Sequence, residues 1–212
     1  MSNASIITAT LGERASPLVQ GLLVLGGSVL VAAAAQVSVP MYPVPMTLQT
    51  LAVLLVGFSL GSRLGALALV AYLLEGAVGL PVFAEFSNGL AFFGPTAGFL
   101  VGFVMLAYLA GLAADMGTRR FLPLAGVALV ASALLYVPGV AWAMLADQVL
   151  GVDATKWGAD SFAMIWQYYM QPFLIGDAIK AVIAALVVTG GWAVMQRRAG
   201  RSGQVGWLSI LG

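Results

Sequence analysis

Cysteine and histidine are both absent from the 212 residues. Without cysteine there are no disulfides, no thiolate nucleophile and no cysteine-ligated metal. Without histidine there is no imidazole general base and no histidine metal site. Charge is scarce too: nine Lys and Arg against eight Asp and Glu leave a net charge of +1, and charged residues make up 8% of the chain against 61% hydrophobic. Soluble domains carry about 25% charged residues, so this chain cannot cover itself with a water-facing surface and reads as an integral membrane protein. The near-neutral charge leaves no basic footprint for nucleic acid. No glycine-rich loop ending in Gly-Lys-Ser/Thr is present to bind a nucleotide. Lacking His, Cys and paired acids beside a nucleophile, the chain is not expected to be an enzyme.

What is present is a series of apolar runs. Six are expected to cross a bilayer: Pro17 to Val37, Met46 to Leu60, Leu64 to Gly79, Thr96 to Ala114, Phe121 to Leu145 and Gln171 to Met195. The expected architecture is therefore all-α, with a cytoplasmic lead over residues 1–16, a membrane domain over 17–195 and a basic tail over 196–212. The lead is mostly polar or small and does not read as a cleaved signal peptide. Three prolines in residues 38–45 forbid a helix and favour an extended link, either a simple turn or part of a lid. Residues 80–95 are too apolar for a free loop and too broken for a helix, so they are expected to tuck into the mouth of the bundle. Asn88-Gly89 reads as a turn, although the Asn88 amide could equally offer a ligand both donor and acceptor. Pro138-Gly139 is expected to bend its span. The connection from Asp147 to Gln171 carries Trp157, Phe162, Trp166, Tyr168 and Tyr169, an interfacial aromatic belt with a short surface helix.

The last span holds the feature around which the rest is arranged. Asp177 and Lys180 lie in an apolar run of about 23 residues, long enough to cross a bilayer core. Charges at that depth usually face a bundle interior or a watery cavity and often mark function. Their i, i+3 spacing puts both on one helix face. With Pro172 in the first turn, Lys180 lies roughly 12 Å along the axis, at 1.5 Å per residue, a depth that suits a pocket open to one side. The pair is read either as an ion pair that locks two helices together or as a ligand grip. In the second reading Lys180 binds an anionic or polar group and Asp177 accepts N–H donors, which calls for a small amphipathic ligand. Ser28 and Ala32, four apart in the first span, would let another helix approach closely, whether inside the bundle or from a partner.

Six spans put both termini on one side. Arg14, Arg63, Arg119, Arg120, Arg197, Arg198 and Arg201 fall on the terminal side, only Lys156 falls on the other, and Lys180 lies within a span. By the positive-inside rule the termini are cytoplasmic and the pocket loads from outside. A carrier with no nucleotide motif must use an ion gradient, use a partner, or merely bind.

Four stretches in order, Pro43-Val44-Pro45-Met46-Thr47-Leu48-Gln49-Thr50, Leu80-Pro81-Val82-Phe83-Ala84, Gly94-Pro95-Thr96-Ala97-Gly98 and Gly176-Asp177-Ala178-Ile179-Lys180, resemble the signatures of the BioY family, over about residues 20 to 195. BioY proteins are the biotin-binding S components of energy-coupling-factor (ECF) transporters. The resemblance implies a six-helix S-component fold in the cytoplasmic (inner) membrane, with the vitamin site closed by the loops after spans one and three. It implies a transmembrane coupling subunit and two cytoplasmic ATPases as partners, no cofactor, and biotin as the transported ligand. It places biotin contacts on Asp177, Lys180 and, from the external loop, Asn88, and a coupling-subunit surface on Ser28 and Ala32. Glu85-Phe86 departs from the family, standing where a glycine-rich loop is usual. An S component for another vitamin and an ion-coupled secondary carrier are the competing expectations.

Overall fold

A computed structural model describes residues 16–151 and 154–208 of the chain. Most of the lead, with Glu13 and Arg14, lies outside them, as does Asp153. Helix α1 (Pro17–Gln36) starts where expected: Ser16 caps it, accepting the Val19 N–H, with proline in the first turn. The proline link is a small antiparallel hairpin, β1 (Ser38–Val39) with β2 (Met46–Thr47), pairing Ser38 with Thr47 and Val39 with Met46. Beyond it run α2 (Gln49–Ala77), α3 (Ala97–Asp115), α4 (Phe121–Leu150), the short α5 (Phe162–Ile165) and α6 (Gln171–Leu208). Two 3-10 turns, Ala84–Phe86 and Gly89–Phe93, fill the loop before α3. A π-turn over Trp166–Met170 joins α5 to α6. Among the described residues, five helical stretches are long and apolar enough to cross a membrane.

Residues 49–77 are one of those five stretches, but they do not form a straight rod. Gly61 has φ 82° and ψ 176°, outside helical geometry. Gln49 Nε2 donates to Tyr72 Oη at 2.6 Å, yet a continuous helix would separate them by roughly 34 Å at 1.5 Å per residue. A Cβ on Gly65 would stand 3.1 Å from the Gly57 Cα. The chain therefore reverses at Gly61, and the arms Gln49–Leu60 and Ser62–Ala77 pack against each other. Asp115 holds the reversal from the end of α3, accepting from Ser62 N at 3.0 Å and Ser62 Oγ at 2.5 Å. Each new arm exposes unpaired N–H groups at its start, and a carboxylate there satisfies them and suits the positive end of the helix dipole.

The sequence expectation and the structure part at three further places. Helix α4 runs through Pro138 to Leu150 instead of ending at Leu145. Helix α6 continues past Met195 to Leu208, so the stretch carrying Arg197, Arg198 and Arg201 is helical up to that point. In the aromatic belt Phe162, Trp166 and Tyr168 are exposed as expected, but Tyr169 is fully buried and donates to the Trp157 carbonyl.

The main apolar core runs through α1, α2, α3, α4 and α6, with Val31, Leu54, Phe58, Leu69, Leu106 and Leu124 fully buried. A second cluster gathers Val44 from the hairpin with Tyr136, Ile165, Tyr169 and Phe173. It pins the hairpin tip to α4, α5 and the start of α6. On α6 one stripe is buried (Asp177, Lys180, Ala181, Ala184, Ala185 and Val188), while Ile175, Ile179, Ile183, Leu186 and Val187 are exposed. The outward side of the helix is thus bulky and apolar, as lipid contact requires, and the inward side is small except for the charged pair.

Candidate functional site

The charged pair lies in the buried stripe of α6, on the wall of a cavity of about 320 Å³. That is the size of small-molecule sites, which are mostly apolar with a few placed polar groups. The first hairpin supplies Pro43, Val44 and Thr47, and the start of α2 adds Gln49 and Thr50. The loop before α3 supplies Phe83 to Glu85 and Ser87, and α4 supplies Leu135 and Tyr136. Both loops that were expected to cover the bundle mouth therefore do line the cavity.

Asp177 and Lys180 are each 7% exposed. Lys180 Nζ donates to Asp177 Oδ1 at 3.1 Å, and Tyr136 Oη donates to Asp177 Oδ2 at 2.7 Å. Burying an ion pair costs desolvation that only good geometry and further hydrogen bonds offset, and the Tyr136 hydroxyl is such a bond. The arrangement is not saturated. An ammonium has three donors and a carboxylate about four acceptor positions, so both groups keep capacity toward the cavity. Removing the tyrosine hydroxyl is expected to loosen the carboxylate without emptying the site. Tyr136→Phe should weaken ligand binding by about tenfold, the worth of one hydrogen bond to a charged group, measurable by equilibrium binding to purified protein.

A polar ledge lines the same cavity. Thr47 Oγ1 donates to Gln49 Oε1 at 3.0 Å and accepts from Gln49 N at 3.2 Å. Gln49 Nε2 is in turn bonded to Tyr72. Thr47 and Gln49 stand out in the sequence as part of the Pro43–Thr50 stretch, whereas Tyr72 and Tyr136 do not. The available signal was a phenol inside an apolar span, since a buried tyrosine hydroxyl usually finds a partner.

The loop before α3 is anchored from three sides. Phe83 is buried edge-on between Tyr72 and Phe92, with ring centroids 5.1 and 5.4 Å away. Gly76 makes room for its ring, which any side chain there would meet. Gln36, at the end of α1, donates to the Phe83 carbonyl at 3.0 Å and accepts from Phe86 N at 3.0 Å. Between these anchors Glu85 (φ 57°) and Phe86 (φ 56°) adopt the left-handed conformation, which disfavours residues with a Cβ by about 1–2 kcal/mol each. Asn88 does not reach the cavity lining. Its Oδ1 instead accepts the Leu90 N–H at 3.3 Å, capping the second 3-10 turn. The local turn chemistry of an asparagine sets the orientation of its carbonyl oxygen.

Ser28 is also placed differently from the surface expected for it. It is fully buried, and its Oγ donates to Glu75 Oε1 at 2.7 Å and to the Leu25 carbonyl. A side chain with no exposed area and a carboxylate partner in α2 belongs to internal packing and not to an outer surface. Ala32 is half-buried.

The sequence model of the BioY family matches residues 8–197. Biotin transporter BioY of Thermotoga maritima is 37% identical over 160 residues, covering 74% of this chain and 86% of that one. Biotin transporter BioY of Rhizobium etli is 37% identical over 175 residues, covering 77% and 87%. The fold is similar to the crystal structure of the S-component for biotin from an ECF-type ABC transporter, with a TM-score of 0.65 and 18% identity over 83% of this chain and 93% of that one.

Proposed function

The chain belongs to the BioY family, and from that premise we propose that it captures biotin in the cavity beside Asp177 and Lys180, as the S component of an ECF transporter. Its role is transport and not catalysis. The observation that carries the site is the buried Asp177–Lys180 pair, which meets the cavity with hydrogen-bonding capacity to spare. Biotin's ureido ring offers two N–H donors and a carbonyl, which match a carboxylate and an ammonium held side by side. Asp177 takes a ureido N–H, Lys180 anchors the ligand, and the apolar walls of Phe83, Phe99 and Leu135 cover the rings. The test is equilibrium binding of labelled biotin to purified protein. Saturable binding, one biotin per chain, with density for it in the cavity, is the expected result. Absence of saturable binding would overturn the reading.

The reversal at Gly61 supports counting α2 as two crossings, hence six in all with both termini on one side of the inner membrane. Exposed Arg63, Arg119, Arg120 and Arg197 lie in the segments remote from the cavity, which supports a cytoplasmic face there. The coupling subunit meets the exposed side of α1 near Ala32, and two ATPases energise uptake from the cytoplasm. A cysteine-free chain makes sidedness simple to test. Leu90→Cys should react with a membrane-impermeant maleimide in intact cells, and Met116→Cys only after permeabilisation; the reverse pattern would invert the orientation.

A further inference from the structure

Among the described residues, three formally charged side chains line the cavity, and two of them are already matched. Glu85 is the third. Among the described residues its carboxylate has neither an ion-pair nor a hydrogen-bond partner. It is exposed and yet lines the cavity, so it stands at the mouth while Asp177 and Lys180 lie buried deeper. Its position is not incidental. A left-handed conformation at a non-glycine residue persists only where the surroundings over-determine it. Here Gln36 grips Phe83 and Phe86 on either side, and Ser87 Oγ donates to the Ala84 carbonyl at 2.7 Å.

A ligand that gives its polar ring to the buried pair leaves its other end toward that mouth. For biotin, on whose proposed binding this inference rests, that end is a carboxylate. It would meet the Glu85 carboxylate, and like charges at a partly solvated mouth repel where opposite charges attract. We propose that Glu85 is a specificity-determining residue that reads the charge at the tail of the ligand, disfavouring a free carboxylate and favouring tail amides that carry an ammonium group. Biotin remains the ligand of the site, and biotin amides that bear an ammonium group are the analogues whose affinity this carboxylate raises relative to it.

Competition against labelled biotin tests this with three probes: free biotin, its neutral methylamide and its cationic aminoethyl amide. Each is measured on the wild-type protein, Glu85→Gln and Glu85→Gly. Removing the charge should raise the affinity of free biotin relative to the aminoethyl amide by about tenfold, with the methylamide between them, as expected for partly screened charges a few ångströms apart. The difference should shrink at about 1 M salt, where the screening length falls to about 3 Å. Glutamine keeps the side chain's shape and glycine relieves the backbone, so agreement between the two variants isolates the charge. Ratios equal to wild type within about twofold in both variants would overturn the inference while leaving biotin binding intact. A shift in the glycine variant alone would overturn it as well, by assigning the effect to loop shape. Failure of all three probes on the wild-type protein would overturn the biotin reading itself.

Discussion

Replacing Lys180 with methionine should lower biotin affinity by about ten- to a hundredfold and also destabilise the protein. Two effects combine. The ligand loses a charged donor, worth about 1.5–3 kcal/mol, and Asp177 loses the partner that holds it at 3.1 Å. An unpaired buried charge costs about 3–5 kcal/mol, so the melting temperature falls along with binding. A purely structural ion pair would predict the same fall, and the double variant separates the two roles. Asp177→Asn with Lys180→Met removes both charges and should recover most of the lost thermal stability, because replacing a whole buried pair is often neutral or favourable. Biotin binding should stay lost. Recovery of binding together with stability would show the pair to be a helix lock and would remove it from the site.

The second large effect is remote from the cavity. Gly111→Ala should abolish the native fold or cost at least about 4 kcal/mol, the range that single substitutions reach only through severe core strain. A Cβ on Gly111 would run into Ser62 N, Ser62 Cα and the Gly61 carbonyl carbon. All are backbone atoms, which cannot rotate aside as a side-chain end can. They belong to the reversal that Asp115 caps, so the added methyl forces apart α3 and the turn on which both arms of α2 depend. The arms carry Gln49 and Tyr72, so residual folded protein should also bind biotin poorly. Thermal unfolding in detergent and the yield of monodisperse protein measure the effect. As a control on α1, Gly26→Ala, where a Cβ meets nothing within 4 Å, should leave both unchanged. Normal stability in Gly111→Ala would contradict the close packing of α3 on the turn.

Much of this was legible along the chain. Pro17 after Ser16, the proline-rich link and the broken 80–95 stretch announce themselves through local chemistry, and each stands close to where the residues imply. The i, i+3 spacing of Asp177 and Lys180 alone places them on one face, and the structure joins them. Asn88 and Ser28 were not legible in this way. Each has two chemically sound uses, and the partners they take within the fold, Leu90 N and Glu75, lie where the sequence alone does not show them. Tyr136 is a similar case: its helix says nothing of Asp177, which lies 41 residues away.

Composition alone determined that this is a membrane protein, because 8% charged residues cannot clothe a soluble fold. Only the tertiary structure decided which face of each helix looks inward. In α6 the charged pair marks the inward face only beside the cavity; beyond it both faces are apolar, so hydrophobicity does not distinguish Ala181, Ala184 and Ala185 packed inside from the isoleucines turned outward. In lipid no solvent penalty sorts the two sides. Close backbone approach, such as Gly65 on Gly57, and the pairing of the few polar groups do that work, and both depend on residues distant in the chain.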